Sequence, residues 1–303
     1  MTSGTLDSTE ATRPRAEDVQ PADILVFAPH PDDESLGCAW IILQAVSAGK
    51  RVHVVLFTNG DGFPIAASAV LKKAPESLVA RDYLELGRVR QREVLTAIAT
   101  LGLSPADVTF LGYPDAGLDK IYLATGDISI TQPFTQKDQT YSLIVQDYHT
   151  RAHGTPAPYR RQAVLDDVTE LIRALQPSQI YVTDDADTHA DHQAAFWFVR
   201  DAAKVVGWPG ELYTYLIHSG NLSDWPWPSQ PTPDSPFETH MVNGTQVPGG
   251  VAWPPPVRLP MTHNQALAKL KVLQVYTAPM GELPEEKAYI EAFVKSEEIF
   301  WRR

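Results

Sequence analysis

Cysteine is nearly absent from this sequence of 303 residues, in which Cys38 is the single thiol. One thiol can form neither an internal disulfide nor a zinc site built from cysteines. The sequence also lacks an apolar run long enough to span a bilayer. Residues 1–20 contain no apolar core of the kind found in signal peptides. These absences predict a cytoplasmic protein, although a signal peptide removed before residue 1 would leave the same sequence.

Basic residues are outnumbered by acidic ones. Lys and Arg number 25 and Asp and Glu number 37, which gives a formal net charge of −12 at pH 7. Binding to nucleic acids or to anionic membranes requires a basic surface that neutralises phosphates. We therefore expect no nucleic-acid partner and no membrane span. Composition does not determine the oligomeric state, so a homo-oligomer stays open.

Short apolar runs alternate with helical patterns along the chain. Residues 24–27 read Ile-Leu-Val-Phe, which is typical of a strand buried on both faces of a parallel sheet. Between such runs lie amphipathic stripes, of which the clearest extends from Val164 to Leu175. This alternation predicts an α/β fold with a Rossmann-like, doubly wound and mostly parallel sheet that carries helices on both faces. Four further strands are predicted at 52–57, 108–111, 180–182 and 212–217.

The predicted domain organisation is simple. Residues 1–21 are rich in Thr, Ser, Glu and Pro, which predicts a flexible N-terminal segment. Residues 22–303 are predicted to form a single domain. Two inserts, 119–158 and 225–258, lack a clear period, and loops of this length are usually functional or disordered. We expect both inserts to cap the carboxyl edge of the sheet near the active site.

Polar residues crowd the junction between the first predicted strand and the helix that follows it. Residues 28–34 read Ala-Pro-His-Pro-Asp-Asp-Glu, which places one imidazole and three carboxylates within five positions. In an open α/β sheet, ligands bind in the crevice outside the carboxyl ends of the strands. Helix capping would explain one Asp, but it would not explain so many costly polar groups beside a buried strand.

A second polar cluster follows the fourth predicted strand. Residues 184–192 read Asp-Asp-Ala-Asp-Thr-His-Ala-Asp-His. An Asp-rich loop alone is commonly a solvated turn, but its position predicts that it faces the first cluster. Catalytic zinc sites use about three His, Asp or Glu ligands and keep one position open. The two clusters supply such a set, with one carboxylate left over for a general base and one His left over to stabilise or protonate a tetrahedral intermediate.

The paired motifs resemble the PIG-L (LmbE-like) family of zinc-dependent N-acetylglucosaminyl deacetylases. The resemblance rests on His-Pro-Asp-Asp-Glu at 30–34 and on Asp-x-His-x-Asp-His at 187–192. It covers roughly residues 23–280. Three further segments are similar to the family pattern: 90–102, 114–118 and 269–276.

This resemblance implies a metal site and a pair of acid–base groups. Asp32 would act as the general base for attack by a zinc-bound water. His189 would polarise or protonate the transition state, with Asp191 in support. Imidazole and carboxylate ligands also suit other divalent ions such as Fe²⁺. The implied zinc ligands are His30, Asp33 and His192.

The resemblance also implies a substrate class, an N-acyl amino sugar or its conjugate, from which an acyl group, acetyl above all, is removed. Arg90 and Asp115 align with positions that contact the sugar. Asp187 stands where some sugar deacetylases have Tyr, a difference that we expect to affect the substrate and not the metal chemistry. Three aromatic rings of the second insert could face a sugar or aglycone, or could pack the cap onto the domain: Trp225, Trp227 and Trp253.

Three other functions compete with this interpretation of the sequence. A dinucleotide-binding Rossmann enzyme is disfavoured because the first strand-to-helix turn lacks the glycine fingerprint and its carboxylates would repel phosphate. A non-catalytic metal-binding module would be expected to have lost Asp32 or His189, and both are present. A zinc amidase that acts on a non-sugar amide remains the alternative.

Overall fold

The computed structural model of this chain describes residues 21–126, 128–278 and 284–303. Its strands are β1 (Ile24–Ala28), β2 (Val52–Thr58), β3 (Val108–Tyr113), β4 (Gln179–Thr183), β5 (Glu211–Tyr215), β6 (His240–Val242), β7 (Thr245–Val247), β8 (Val257–Pro260) and β9 (Glu297–Arg302). Its α-helices are α1 (Asp33–Ser47), α2 (Pro64–Leu71), α3 (Ala80–Thr100), α4 (Leu118–Leu123), α5 (Tyr148–His153), α6 (Arg161–Leu175), α7 (Ala190–Val206), α8 (His263–Leu273) and α9 (Pro284–Glu291).

Seven of the described strands form one mixed sheet in the order β3-β2-β1-β4-β5-β9-β8. The five strands from β3 to β5 are parallel, and β9 is antiparallel to both of its neighbours. Strand β1 is the central one of these five parallel strands. Strands β2 and β3 follow on one side of it, and β4 and β5 lie on the other side. This confirms the predicted doubly wound, mostly parallel sheet. The reversal puts a topological switch point between β1 and β4, where ligands bind in such folds.

Helices cover both faces of the sheet, as predicted. One apolar core contains side chains of α1, α3, α8 and α9, and a second contains side chains of α4, α5, α6 and α7. Strand β1 supplies alternate residues to the two cores, and all five of its residues are buried. Burial on both faces is the reason why this strand reads as an unbroken apolar run.

The second insert packs onto the domain through its aromatic side chains. Trp225 is 1% exposed and stacks on Phe237 at 5.3 Å between ring centroids. Trp227 stacks on His240, and Trp253 lies edge-on to Trp225. The insert also contains the hairpin of β6 and β7. Trp225 also belongs to the apolar core of α1 and β1, and its Nε1 donates to the carbonyl of Leu216, outside the insert, at 3.2 Å, which favours packing of the insert onto the domain.

A buried ion pair contacts helix α1 in its middle. Lys269 Nζ on α8 lies 2.8 Å from Glu298 Oε1 on β9, and each side chain is 1% exposed. Lys269 Nζ donates to the carbonyl of Leu36 at 2.7 Å, and Glu298 Oε1 accepts from the amide of Trp40 at 2.7 Å. Leu36 and Trp40 would be hydrogen-bond partners in a regular helix. The ion pair therefore ties α1, which begins at Asp33, to two elements near the end of the sequence.

Most of the predicted flexible segment 1–21 lies outside the described residues, and the single domain over 22–303 stays a prediction. Within the parts of the chain that the structure describes, no helix is long and apolar enough to cross a membrane.

Candidate active site

The two polar clusters lie at the carboxyl ends of β1 and β4, which are neighbours in the sheet. Helix α1 begins at Asp33, directly after the first cluster. Helix α7 begins at Ala190, which places His192 in its first turn. The structure thus brings the two clusters together at the switch point.

Three side-chain atoms near the N-termini of α1 and α7 lie close together and could donate electron pairs to a metal ion. His30 Nδ1 lies 3.1 Å from His192 Nε2. Asp33 Oδ2 lies 3.3 Å from His30 Nδ1 and 3.2 Å from His192 Nε2. Ligands about 2.0–2.1 Å from a tetrahedral zinc ion are about 3.3 Å apart. The three atoms have the spacing of three corners of such a tetrahedron, so these side chains fit a divalent ion.

The electrostatics of this cluster favour a positive charge. Burial lowers the pKa of His192, but the carboxylates of Asp187 and Asp33 outweigh burial and raise that pKa to about 9. Burial likewise opposes protonation of His30, while Asp115 and other carboxylates hold its pKa well above the usual value. Burial raises the pKa of Asp33, yet His192 and His30 bring it well below its usual range. A bound cation would take the place of the protons that these carboxylates attract.

Asp187 contacts Nδ1 of His192, the ring nitrogen that is not one of the three converging atoms. Its Oδ2 lies 3.1 Å from His192 Nδ1 and accepts from the amides of Ile217 at 3.0 Å and His218 at 2.9 Å. Its Oδ1 accepts from the amide of His189 at 2.9 Å. This contact keeps the proton on Nδ1 and leaves Nε2 free to bind a metal. The difference at Asp187 was expected to affect the substrate and not the metal chemistry, and the structure places its carboxylate on His192, a contact that spacing alone does not reveal.

Two carboxylates face the second nitrogen of His30. Asp115 Oδ1 and Asp191 Oδ2 each lie 3.3 Å from His30 Nε2. The Asp191 carboxylate also accepts two backbone amides of the loop 116–118, at 2.7 Å and 2.9 Å. Asp191 was expected to support His189, but its carboxylate lies on His30, and only its backbone amide reaches His189 Nδ1, at 3.3 Å. Asp115 was expected to contact the sugar. It lines a cavity, described below, and its carboxylate also contacts His30.

Asp32 has a strained backbone, with φ 120° and ψ −33°, in a region that side chains other than glycine rarely adopt. Its amide donates to Glu34 Oε2 at 3.1 Å, and Arg90 Nη2 donates to its Oδ2 at 3.0 Å. Burial raises the pKa of the Asp32 carboxyl to about 8, although Arg90 opposes the rise. Arg90, which the resemblance aligns with a sugar-contacting position, is 4% exposed and packs against Asp32, and it also lines the adjoining cavity. Its second contact is the carbonyl of Pro31 at 2.5 Å.

A cavity of about 260 Å³ adjoins these side chains. Asp32 and His189 both line it, together with His30 and Asp33. Burial, with the positive charges of His30 and His192, lowers the pKa of His189 to about 3, which keeps this imidazole neutral. Another wall of the cavity is apolar. It is formed by Leu36, Phe63, Ile217, Leu222, Tyr289 and Ile290.

His218 also lines the cavity. The hydroxyl of Tyr289 donates to the carbonyl of Ile217 at 2.8 Å, so it accepts from His218 Nδ1 at 3.0 Å. The two rings are parallel to within 6°. Tyr289 lies on α9, far along the chain from either motif, and no sequence signal pointed to it.

His149 and His153 have no sequence spacing that singles them out, yet they lie together on α5 beside Asp167. His149 Nδ1 lies 2.8 Å from Asp167 Oδ1, and His153 Nε2 lies 3.0 Å from Glu170 Oε2. Each imidazole thus has a carboxylate partner, and the two pairs fasten α5 to α6.

Comparison with known proteins gives one family and several relatives. Residues 25–203 match the family described as PIG-L: GlcNAc-PI de-N-acetylase. A putative glucosamine-6-phosphate deaminase-like protein of Bacteroides thetaiotaomicron is 20% identical over 212 residues, which cover 63% of this chain. The match spans 29% of the length of that relative.

Solved structures share the fold at low sequence identity. The N,N'-diacetylchitobiose deacetylase of Pyrococcus horikoshii is 17% identical with a TM-score of 0.53, over 93% of this chain and 84% of that one. A conserved protein of Thermus thermophilus is 19% identical with a TM-score of 0.51, over 92% and 94%. A deacetylase triple mutant of the teicoplanin biosynthetic pathway is 14% identical with a TM-score of 0.53, over 92% and 96%.

Proposed function

This chain belongs to the PIG-L family, and we propose that it is a metal-dependent N-deacetylase that hydrolyses the amide of an N-acetylated amino sugar or of its conjugate. One observation carries the proposal. The donor atoms of His30, Asp33 and His192 lie within 3.3 Å of one another. Two further groups suited to acid–base chemistry, Asp32 and His189, line the adjoining cavity.

The proposed metal ligands are His30, Asp33 and His192. A divalent ion, when bound there, supplies Lewis-acid chemistry by lowering the pKa of water and polarising the amide carbonyl. Two imidazoles and one carboxylate suit zinc and also suit Fe²⁺. The carboxylates of Asp187, Asp115 and Asp191 support both imidazoles through their other ring nitrogens. Such contacts orient metal-binding histidines and raise their basicity.

We assign the role of general base to Asp32. It neighbours a proposed ligand but is not needed as one, and its carboxylate lines the cavity. Arg90 and the strained backbone hold that carboxylate in one orientation. Asp32 takes a proton from the attacking water as the water oxygen bonds to the carbonyl carbon. The proton then passes to the amine nitrogen as the C–N bond breaks, which yields a free amine and a carboxylate.

His189 is assigned to the oxygen of the amide. Its Nδ1 accepts the backbone amide of Asp191 at 3.3 Å, so the proton of the neutral ring lies on Nε2. A neutral imidazole in this tautomer can donate a hydrogen bond to the amide oxygen as negative charge develops there. This proposal favours polarisation by His189 over proton donation.

An acetylated amino sugar is supported by the family description and by Asp115. Both oxygens of Asp115 already accept one hydrogen bond, yet each keeps a lone pair that a sugar hydroxyl could use. An amidase for a non-sugar amide is the second candidate, favoured by the apolar wall of the cavity.

Metal analysis of the purified protein and an assay of acetate release test the proposal together. We expect about one divalent ion per chain and release of acetate from N-acetylglucosamine derivatives. The variant Asp32→Asn should keep the ion and lose roughly two to four decades of turnover, the usual contribution of a general base. Near wild-type turnover in this variant would assign the base elsewhere. Release of another amine, with no N-acetyl sugar hydrolysed, would favour the second candidate.

A further inference from the structure

Two histidines and two carboxylates lie together between helices α5 and α6. His149 and His153 are one helical turn apart on α5. Asp167 and Glu170 are one turn apart on α6. We call these four side chains the α5–α6 cluster. None of the four is among the residues that line the active-site cavity, so the cluster is separate from the proposed catalytic site.

The spacing of the α5–α6 cluster suits a single metal ion. One possible ligand atom from each of His149, His153 and Asp167 lies within 4.8 Å of the other two. Ligands of a tetrahedral zinc ion are about 3.3 Å apart, so these gaps need to close by no more than about 1.5 Å. The side chain of His153 is 38% exposed, which leaves its ring room to turn. Zinc metalloproteases use the same spacing of two histidines on one face of a helix.

Hydroxyl groups hold both carboxylates of the cluster. Tyr113 donates from β3 to Asp167 Oδ2 at 2.7 Å. Tyr148 donates to Glu170 Oε2 at 3.1 Å. Each carboxylate also contacts one of the histidines, at the distances given above. Hydrogen bonds of this kind fix the carboxylates and imidazoles of metal sites in position.

The charges of the α5–α6 cluster favour a cation. The side chain of Asp167 is 1% exposed, and burial raises the pKa of its carboxyl, although His149 and Tyr113 oppose the rise. The hydrogen bond to Asp167 raises the pKa of His149. The rings of His149 and His153 are 4.4 Å apart between centroids, and two imidazolium ions at this distance would repel each other. One divalent ion shared by two neutral rings would supply positive charge without this repulsion.

We propose that the α5–α6 cluster is a second metal site, in which His149, His153 and Asp167 bind a divalent ion of the zinc type. Glu170 orients His153. Imidazole ligands favour zinc, Co²⁺ or Ni²⁺ over Mg²⁺ and Ca²⁺, which prefer oxygen. Helix α5 belongs to the first insert, so the ion joins this insert to α6. Because its ligands are more widely spaced and partly exposed, this ion binds more weakly than the proposed catalytic ion.

Equilibrium dialysis against zinc tests the site by counting ions. The purified protein should carry the proposed catalytic ion, and dialysis against increasing zinc should add one further ion per chain. His153→Gln should weaken binding of this second ion at least about tenfold, since even the loss of a supporting group has an effect of that size. His263→Gln is the matched control, because His263 is a half-exposed histidine with a carboxylate partner, Asp234 at 2.9 Å, outside the cluster. A wild type that takes up no second ion, or a His153→Gln variant that binds it at full affinity, overturns the proposal.

Diffraction at the zinc absorption edge locates the ion. Crystals of the zinc-dialysed protein should show an anomalous peak between α5 and α6. Asp33→Asn removes a proposed catalytic ligand, so it should weaken the peak at the active site and keep this one. A second ion that lies elsewhere overturns the proposal. Absence of acetate release, with the peak between α5 and α6 present, would overturn the deacetylase proposal and leave the second metal site standing.

Hydrogen exchange measures the effect of the ion on the first insert. Zinc should slow exchange of the backbone amides of α5 at least about tenfold in the wild type, because an ion that binds only the closed form stabilises it. The same amides of His153→Gln should respond little to zinc. Acetate release should be equal in the two proteins, since the cluster lies outside the active-site cavity. Exchange in α5 that zinc leaves unchanged in the wild type contradicts the role of the ion in joining the insert to α6.

Discussion

The variant Asp187→Asn tests whether this buried carboxylate supports the proposed metal site. Oδ2 of Asp187 accepts from three donors, on His192, Ile217 and His218, and Oδ1 accepts from the amide of His189. An asparagine can keep its oxygen at the first position only by turning its NH₂ toward the amide of His189. The NH₂ group and the backbone amide of His189 are both donors, and they would then face each other. The corresponding atoms, Asp187 Oδ1 and the amide nitrogen of His189, are 2.9 Å apart in the wild type.

Two effects of different size follow from this geometry. Leaving a buried amide without an acceptor costs about 1–3 kcal/mol of folding free energy, measured on metal-free protein. Loss of the negative charge behind His192 makes its Nε2 a weaker ligand. Replacing such a carboxylate typically reduces metal affinity by roughly 10- to 100-fold.

Competition of the protein with a chelating dye at about pH 7.5 measures the metal affinity, and urea unfolding of the metal-free protein measures stability. Asp185→Asn is the matched control, since this side chain in the same loop is 39% exposed and contacts Arg303 at 3.2 Å. It should change the metal affinity little. If Asp187→Asn bound zinc within about twofold of the wild type, the assignment of Asp187 as a positioning residue for His192 would be refuted.

Three other expectations concern catalysis, packing and pH. His189→Ala should retain the metal, measured by elemental analysis, and lose roughly two to three decades of kcat, as when an oxyanion donor is removed; metal loss would reassign His189. Gly37→Ala places a Cβ 2.3 Å from the ring of Tyr215, so thermal unfolding should show about 1–3 kcal/mol of destabilisation, and an unchanged melting temperature would contradict this. Burial, with help from Arg151, lowers the pKa of His53 to about 4, so the unfolded chain binds the proton first as pH falls. Stability present above about pH 6.5 is then lost toward pH 4, about 2 kcal/mol of it by pH 5. The unfolding free energy of His53→Gln, measured with urea, should therefore fall less than that of the wild type as the pH is lowered. An identical pH dependence in the variant and the wild type would disprove this contribution of His53.

The central parallel strands and the two polar clusters could be predicted because their signals are local. A strand buried on both faces reads as an unbroken apolar run, as in β1. The residues 30–34 lie together in sequence, so their chemistry is visible before any fold is known. The antiparallel strand β8 has alternating partial burial over four residues, and a run so short gives a weak pattern.

The partners of the site residues could not be predicted. The resemblance aligns Arg90 with a sugar-contacting position, but it gives no sign of the hydrogen bond from Arg90 to Asp32, 58 residues away in sequence. The contact of Tyr289 with His218 spans 71 residues. Spacing within a motif specifies which side chains share a crevice, but it does not specify which atoms meet.

The ion pair on helix α1 has a consequence for how the protein is made. The hydrogen bond from Trp40 to Glu298 joins residues 258 positions apart. A ribosome adds about 5–20 residues per second, so Glu298 is added roughly 13 to 50 s after Trp40. Until then, the helix that begins with Asp33 lacks the buried ion pair that contacts its middle. The helix that carries Asp33, a proposed metal ligand, therefore gains this contact only late in synthesis.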